Sequence, residues 1–356
     1  MDSQTNQPRL FGINHSNRDY TIPDTWGKNQ FNSSFPASLA CYLHSKGLKA
    51  VYYKADKEMN RDLQYIGIDE LYGVDPLGDD IYFSFETQYT PFQKYIVGSI
   101  PRDDLVILSH GQCVSSIEIK LVALPDNTTC NLNDDKFGSE IVVRPDTIIY
   151  LACTFIRGYQ DNPEALKSVI NGVGSGIRDW TQAADVIPYM DEIYWAIRRI
   201  VAEKNDAQVP IIMEPVWKTE GKSPKLAEHC LDVFVWSNFG MLNLFMPAQG
   251  EEYRNITRHT RTMIWLFKML KDYSEKGRFH GAEIIDKLSY NLKNDKAFAS
   301  NGVKTHPVMT CSELTKPRIK KGEIKKIILG GGQNLLSPER RFDAIIYNSP
   351  DLFEED

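Results

Sequence analysis

A chain of 356 residues, 42% of them hydrophobic and 25% charged, has the composition of a globular protein and is long enough for about two domains. Its formal net charge of −6 excludes a protein that coats nucleic acid through bulk positive charge, so any nucleic-acid contact must rest on locally concentrated basic residues. No apolar run approaches the roughly 18 residues of a membrane span, and the N-terminus is polar. We therefore expect a cytoplasmic protein without membrane contact.

The first hundred residues predict few regular elements. Pro36 suits the first turn of a helix, because proline needs no hydrogen-bond acceptor for a backbone N–H. In chain order the predicted elements are a polar loop over 1–30, a helix over 36–46, a strand over 48–53, an irregular acidic stretch over 56–80 and a partly helical aromatic segment over 83–98.

A β-hairpin is predicted over 104–121, with its turn over 109–113. Its first strand opens with Asp104, and its second strand carries Glu118 and Lys120. Successive side chains of a strand alternate between faces, so Glu118 and Lys120 share one face while the intervening apolar residues fill the other. The hairpin is therefore predicted to hold two carboxylates and one ammonium group side by side.

The rest of the chain alternates between amphipathic helices and short apolar strands. This alternation predicts an α/β fold with a mixed central sheet flanked by helices. The predicted elements after the hairpin are a polar loop over 125–139, helices over 145–157, 163–171 and 187–204, strands over 209–213 and 231–236, a long helix over 252–275 and strands near 324–329 and 342–347.

The residue types of the hairpin suit metal-dependent hydrolysis of a phosphodiester. Mg²⁺ prefers one or two carboxylates, waters and phosphate oxygens as ligands. Asp104 and Glu118 are the candidate ligands, with the backbone carbonyl of Ile119 as a third. Lys120 would place or activate the attacking water and offset charge in the transition state. Asp103 is a rival to Asp104, which we prefer because it leads directly into the apolar strand.

The acid-x-Lys triplet carries little information by itself, since it occurs four times in the chain. Only the triplet from Glu118 to Lys120 lies in an apolar strand that follows a second apolar strand led by an acid. An ordinary hairpin with surface charges at its ends is the structural alternative. A weaker alternative places the chemistry elsewhere, at Glu214, Lys218, Glu220, Lys222 and Asp232.

Two basic segments are candidate DNA contacts. The segment 316–326 holds six basic residues and one acid, and it is followed by three glycines over 330–332 that would let backbone approach a phosphate. A solvated charged loop explains the same composition. The basic residues of this segment are Lys316, Arg318, Lys320, Lys321, Lys325 and Lys326.

The second basic segment lies in the long predicted helix. Arg254, Arg258 and Arg261 are spaced by four and three residues, which places them on one helical face. This face could contact phosphates. The favoured alternative is the solvated side of a helix whose other side packs on the core.

Stretches along nearly the whole chain resemble the HindVP family of type II restriction endonucleases, within the PD-(D/E)xK nuclease superfamily. Three of them are Phe-Gly-Ile-Asn-His-Ser-Asn-Arg-Asp over 11–19, Trp-Gly-Lys-Asn-Gln-Phe-Asn over 26–32 and Glu-Ile-Lys-Leu-Val-Ala-Leu-Pro-Asp over 118–126. The others are Val-Trp-Lys-Thr-Glu-Gly-Lys-Ser-Pro over 216–224, Cys-Leu-Asp-Val-Phe-Val-Trp-Ser over 230–237 and Gly-Gly-Gly-Gln-Asn-Leu-Leu-Ser-Pro over 330–338.

This resemblance implies a Mg²⁺-dependent endonuclease that cuts double-stranded DNA at a short palindrome of the GRCGYC type. A palindromic site implies a homodimer. The resemblance places Asp104, Glu118 and Lys120 at the superfamily's catalytic positions. The superfamily's leading Pro-Asp is not matched neatly, because Pro101 stands three residues before Asp104, and this leaves Asp103 and Asp104 as alternatives.

The expected architecture follows from the same resemblance. Residues 1–245 would form a restriction-endonuclease-like core with an N-terminal extension. Residues 246–356 would add a helical and basic region for DNA recognition and dimerisation. Two other classes fit the hairpin: a structure-selective nuclease that uses the same site, and a DNA-binding protein without catalysis.

Overall fold

A computed structural model describes part of the chain. It contains α-helices, β-strands and two 3₁₀ turns, Thr90–Tyr95 and Ile187–Tyr189. The described residues are 12–13, 15–18, 28–55, 61–119, 140–204, 211–214, 217–220, 223–226, 232–235, 255–292 and 298–301. The α-helices are α1 (Lys28–Ser45), α2 (Ile68–Tyr72), α3 (Pro145–Gly158), α4 (Pro163–Ile170), α5 (Ala183–Val186), α6 (Met190–Glu203), α7 (Arg258–Lys276) and α8 (Gly281–Lys287).

The described strands form four small antiparallel sheets. A four-stranded sheet has the order β10–β7–β1–β2, a three-stranded sheet the order β3–β4–β5, and β6 with β11 and β8 with β9 form pairs. The strands are β1 (Ala50–Ala55), β2 (Arg61–Ile66), β3 (Ile81–Thr87), β4 (Asp103–Ser109), β5 (Gln112–Ile117), β6 (Glu140–Val143), β7 (Ile211–Glu214), β8 (Trp217–Glu220), β9 (Ser223–Leu226), β10 (Asp232–Val235) and β11 (Phe298–Asn301).

Helix and sheet are thus both present, as an α/β sequence pattern predicts. The expected mixed sheet would contain neighbouring parallel strands. Within the described ranges, the sheets are antiparallel, and parallel pairing is limited to isolated bridges of Ser16 with Phe83 and of Ile96 with Phe279. Among the described residues, no helix has the length and apolarity that crossing a membrane requires.

The hairpin predicted over 104–121 is confirmed for β4 and β5, over 103–117, with a tighter turn than expected. Glu118 lies beyond the end of β5, and Lys120 lies outside the described residues. His110 and Gly111 both have left-handed backbone angles, φ 47° and 75°, so two residues suffice for the turn. The register shifts by one residue next to Leu108, which leaves one extra residue on β5.

The edge of β3 that faces away from β4 is covered by residues 15–17. Phe83 donates its backbone N–H to the carbonyl of His15 over 2.9 Å, and its own carbonyl accepts from Asn17. The Asn17 side chain accepts from the N–H of Phe85 and donates to its carbonyl, both over 2.9 Å. Arg18 then pairs with Glu86 over 3.1 Å.

The largest apolar core is formed by α3, α4, α6, α7 and α8. α3 starts at Pro145 and is apolar around most of its circumference, so its central turns are buried. α7 begins after Thr257, whose side chain caps the first turn, and ends at Gly277 in the left-handed conformation. These helices hold one side of the three-stranded sheet, because Val106 of β4 belongs to the same core.

Several element boundaries differ from the sequence predictions. α1 begins at Lys28 and passes through Pro36 instead of starting there, and α7 begins at the Thr257 cap instead of residue 252. The stretch 56–80 contains β2 and α2, and 83–98 contains the end of β3 before its 3₁₀ turn. The strands predicted near 324–329 and 342–347, and the boundary at 245/246, lie outside the described residues.

Candidate active site

Two buried carboxyl groups meet where β4 begins and β5 ends. Asp103 is the first residue of β4, and Glu118 directly follows the last residue of β5. Their side chains are hydrogen-bonded to each other, and the residues are only 1% and 7% exposed. A hydrogen bond between two carboxyl groups requires that one of them carries a proton. The pair therefore holds a proton where a cation could bind.

Burial and neighbouring groups shift the pKa of Asp103 in this pair. Burial raises the pKa of Asp103 well above its usual range, and the charge of Glu118 raises the same pKa further. Ser116 opposes this shift, because its hydroxyl donates to the Asp103 carboxyl. Asp103 is therefore the member of the pair on which burial and the neighbouring charge favour a proton when no cation is present.

The first turns of α3 contact Glu118 and the chain just before Asp103. Thr147 Oγ1 donates to Glu118 Oε1 over 3.0 Å. Tyr150 Oη donates to the carbonyl of Pro101 over 2.9 Å and accepts from the N–H of Tyr89 over 3.0 Å. Burial and the charge of Asp103 raise the pKa of Tyr150, so its hydroxyl stays neutral. The role of these α3 side chains was not predicted from the sequence. The helix that opens with Pro145 soon after the hairpin could have indicated it.

Asp104, the carboxylate preferred from sequence, is engaged differently from Asp103. Its Oδ2 accepts from the backbone N–H of Ile119 over 2.8 Å, and its side chain is half-buried. The sequence favoured Asp104 because it leads directly into the apolar strand. Extending the β4–β5 register beyond the pair Leu105–Ile117 would place Asp104 opposite Glu118, but the ladder ends at that pair, and Glu118 is hydrogen-bonded to Asp103.

A third carboxylate lies at the start of α3. Asp146 is in the first turn of the helix, and both partial burial and the charge of Glu118 raise its pKa. The charge of Arg144 acts in the opposite direction. Asp146 thus adds negative potential beside the carboxyl pair, a contribution that the sequence analysis missed.

The remaining predicted site residues are only partly described. Ile119 is buried directly after Glu118, and Arg258 is half-buried at the first residue of α7. Lys120 and Arg254 lie outside the described residues, as does the whole basic segment of Lys316, Arg318, Lys320, Lys321, Lys325 and Lys326.

Arg261 corrects the predicted basic stripe. The residue is 1% exposed, its Nη1 donates to the carbonyl of Leu292 over 2.9 Å, and its guanidinium lies 4.5 Å from the ring centre of Trp265. The expectation that Arg261 faces DNA from a surface stripe is wrong, because the side chain ties α7 to the loop after α8.

The alternative acid and lysine set is spread over two ladders. Glu214 of β7 stands opposite Asp232 of β10 in the antiparallel register. Lys218 and Glu220 lie on β8, which pairs with β9 instead, and Lys222 is outside the described residues. Among the described strands, none carries this whole set of residues.

The donor chemistry of the carboxyl pair suits a hard divalent cation. Among the described residues, no three side chains of His, Cys, Asp or Glu form a group that could hold a metal ion. Asp103 and Glu118 could instead offer two oxygen ligands, the number that Mg²⁺ commonly takes from protein when substrate phosphate and waters complete its coordination. Buried, mutually repelling acids of this kind are typical of hydrolytic active sites.

Comparison with known proteins defines the class. The type II restriction enzyme HgiDI of Herpetosiphon aurantiacus is 44% identical to this chain over 358 residues. The alignment covers 100% of this chain and 99% of HgiDI. The probable type II restriction enzyme HindVP of Haemophilus influenzae is 44% identical over 351 residues, covering 98% of this chain and 95% of its own length. The protein is therefore a type II restriction endonuclease, a site-specific deoxyribonuclease.

The family can also be named. A model of the HindVP restriction endonuclease family matches residues 26–353, and the chain belongs to that family. The predicted resemblance and enzyme class are thus confirmed. No solved structure shows a significant match to the chain.

Because Arg261 is buried, its substitution is expected to affect the stability of the protein and not its DNA binding. Arg261→Met should lower the free energy of unfolding in urea by about 2 kcal/mol, since it removes the hydrogen bond from the charged guanidinium to the carbonyl of Leu292. The salt dependence of DNA binding should not change, because a buried guanidinium releases no counterions. Arg258→Met, at a predicted DNA contact on the same helix, is the matched comparison, and it should reduce the salt slope. A reduced salt slope with unchanged stability in Arg261→Met would place Arg261 at the DNA surface.

The raised pKa of Asp103 predicts how the metal-free protein responds to pH. The unfolded chain loses the Asp103 proton near pH 4, whereas the folded chain keeps it to higher pH, so this group's stabilising contribution falls as pH rises between the two pKa values. The fall is about 1.4 kcal/mol per pH unit within that window. Asp103→Asn should remove this pH dependence. The stability of the mutant relative to wild type should therefore increase as the pH rises.

Urea unfolding in EDTA at a series of pH values measures this difference. Asp79→Asn, which removes an exposed carboxyl, serves as the control. Parallel curves for wild type and Asp103→Asn would show that Asp103 is not the protonated member of the pair.

Proposed function

We propose that this restriction endonuclease cuts double-stranded DNA in a Mg²⁺-dependent reaction in which Asp103 and Glu118 bind the metal ion. The hydrogen bond between their buried carboxyl groups carries the proposal. Ionising both groups without a cation would place two like charges in contact in a buried site, so a divalent cation that replaces the shared proton relieves this repulsion. When bound, Mg²⁺ would polarise the scissile phosphate and lower the pKa of a water molecule.

Three further residues complete the proposed reaction centre. Lys120 follows Glu118 by two positions and would place the attacking water and offset negative charge on the phosphate. The backbone carbonyl of Ile119 is a candidate third ligand. Asp104, whose carboxylate accepts from the N–H of Ile119, would orient the chain between Glu118 and Lys120. This role differs from the metal-ligand role that the sequence favoured for Asp104.

The substrate is proposed from the family. The named relatives are type II restriction enzymes, and the resemblance implies a palindrome of the GRCGYC type. A palindrome has two-fold symmetry, so we propose a homodimer in which each protomer cuts one strand. We propose that the enzyme acts in the cytosol.

DNA contacts are proposed outside the carboxyl pair. The antiparallel sheet of β3, β4 and β5, braced by α3, supports a nuclease core within 1–245, and 246–356 would supply recognition and dimerisation. Arg261 is omitted from the contact set because it is buried. The proposed contacts are Arg254, Arg258, Lys316, Arg318, Lys320, Lys321, Lys325 and Lys326.

The proposal is tested by cleavage of unmethylated phage DNA followed by sequencing of the ends. Discrete fragments that share one palindrome should form with Mg²⁺ and not with EDTA. Fragments that end at random positions, or cleavage that persists in EDTA, would contradict the proposal.

Variants of the hairpin separate the two candidate aspartates. Asp103→Asn should reduce kcat by about 10²- to 10³-fold through lost electrostatic stabilisation, and Asp104→Asn by less. Lys120→Ala should abolish cleavage while specific DNA binding in Ca²⁺ persists. If Asp104→Asn proves more damaging than Asp103→Asn, Asp104 is the metal ligand.

The basic segment 316–326 predicts a change in salt dependence. Replacing Lys320 and Lys321 by Gln should weaken DNA binding and reduce the log–log salt slope by about one for each lost phosphate contact. Fluorescence anisotropy at a series of salt concentrations measures the slope. A slope equal to that of wild type would make the segment a solvated loop without DNA contact.

A further inference from the structure

α3 contacts the chain segments that carry both carboxyl groups. Thr147 Oγ1 donates to Glu118 Oε1 over 3.0 Å, and both residues are buried. One turn later, Tyr150 donates to the carbonyl of Pro101, two residues before Asp103. One helix is therefore fixed relative to the strands that lead into the pair.

α3 is a firm support because its own position is set by the core. Its other turns pack against α7 and the 3₁₀ turn before β4. A side chain on a packed helix holds its hydrogen-bond partner more closely than one on a loop. The buried apolar residues of α3 are Ile148, Ile149, Leu151, Ala152, Phe155 and Ile156.

Glu118 needs such a support, because the strand ladder does not hold it. The last ladder pair of β5 is Ile117 with Leu105, and Glu118 lies just beyond it. Beyond the ladder, the orientation of its carboxylate depends on side-chain contacts. The hydroxyl of Thr147 offers the hydrogen bond that keeps it in place.

We infer that Thr147 is a positioning residue, whose hydroxyl holds the Glu118 carboxylate in the orientation that binds the divalent cation. The inference rests on the proposed role of Glu118 in the cation site. Residues that hydrogen-bond to a metal ligand orient it, and their loss typically reduces metal affinity or activity by about 10- to 100-fold.

Thr147→Val tests the inference, since it removes the hydroxyl and keeps the side-chain shape. The half-saturating Mg²⁺ concentration should rise, or kcat should fall, by about 10- to 100-fold, while KM for DNA stays near wild type. Thr147→Ser, which restores the hydroxyl, should recover most of the loss. The Mn²⁺ concentration that raises the Tm of DNA-free protein should shift in the same direction in Thr147→Val, a readout independent of cleavage.

Thr154→Val is the matched control. Thr154 lies two turns further along α3, and its hydroxyl donates to the carbonyl of Tyr150 within the same helix over 2.9 Å. This variant should change Tm without changing the Mg²⁺ or Mn²⁺ dependence. Wild-type metal dependence and kcat in Thr147→Val, or an equal loss in Thr154→Val, would overturn the inference. Thr147→Cys, which keeps only a weak donor, replaces Thr147→Val if that variant does not fold.

Glu118→Gln separates failure of this inference from failure of the proposed function. If Glu118→Gln still cleaves DNA with wild-type metal dependence, the proposed site is wrong and the inference falls with it. If Glu118→Gln is inactive while Thr147→Val behaves as wild type, only the positioning role is wrong.

Discussion

The hydrogen bond between the carboxyl groups of Asp103 and Glu118 is the constraint on which the described site depends. Burying two acids in contact costs stability, and the metal-free protein limits that cost by keeping one proton between them. Such an arrangement persists only when the surrounding chain holds both groups in place. The β4 strand fixes Asp103, and α3 contacts Glu118.

That surrounding chain combines local and distant parts of the sequence. The hairpin is closed locally by a two-residue turn, whereas α3 reaches the pair from about 30 residues further along. α3 in turn packs on α7, which lies more than 100 residues later. Arg261 anchors α7 to the chain after α8. The geometry of the carboxyl pair is thus linked to the folding of the helical core.

The sequence predicted those parts of the structure that local patterns determine. The hairpin, α3, α4 and α6 follow from strand alternation, a proline at the first helical position and helical apolar spacing. The pairing of Asp103 with Glu118 could not follow, because strand alternation gives no guide where the ladder ends at Ile117. Arg261 was misjudged for a similar reason, since spacing identifies a helical face without showing that a neighbouring loop covers it.

The segment of residues 15–17 beside β3 has a consequence for assembly. The backbone groups of Phe83 and Phe85 on the outer edge of β3 already bond to His15 and Asn17 of the same chain. An exposed strand edge is a template on which another chain can add a strand, and this edge is occupied at those positions. Two protomers therefore cannot join through a continuous sheet across Phe83 and Phe85. The proposed homodimer would instead associate through other surfaces of the chain.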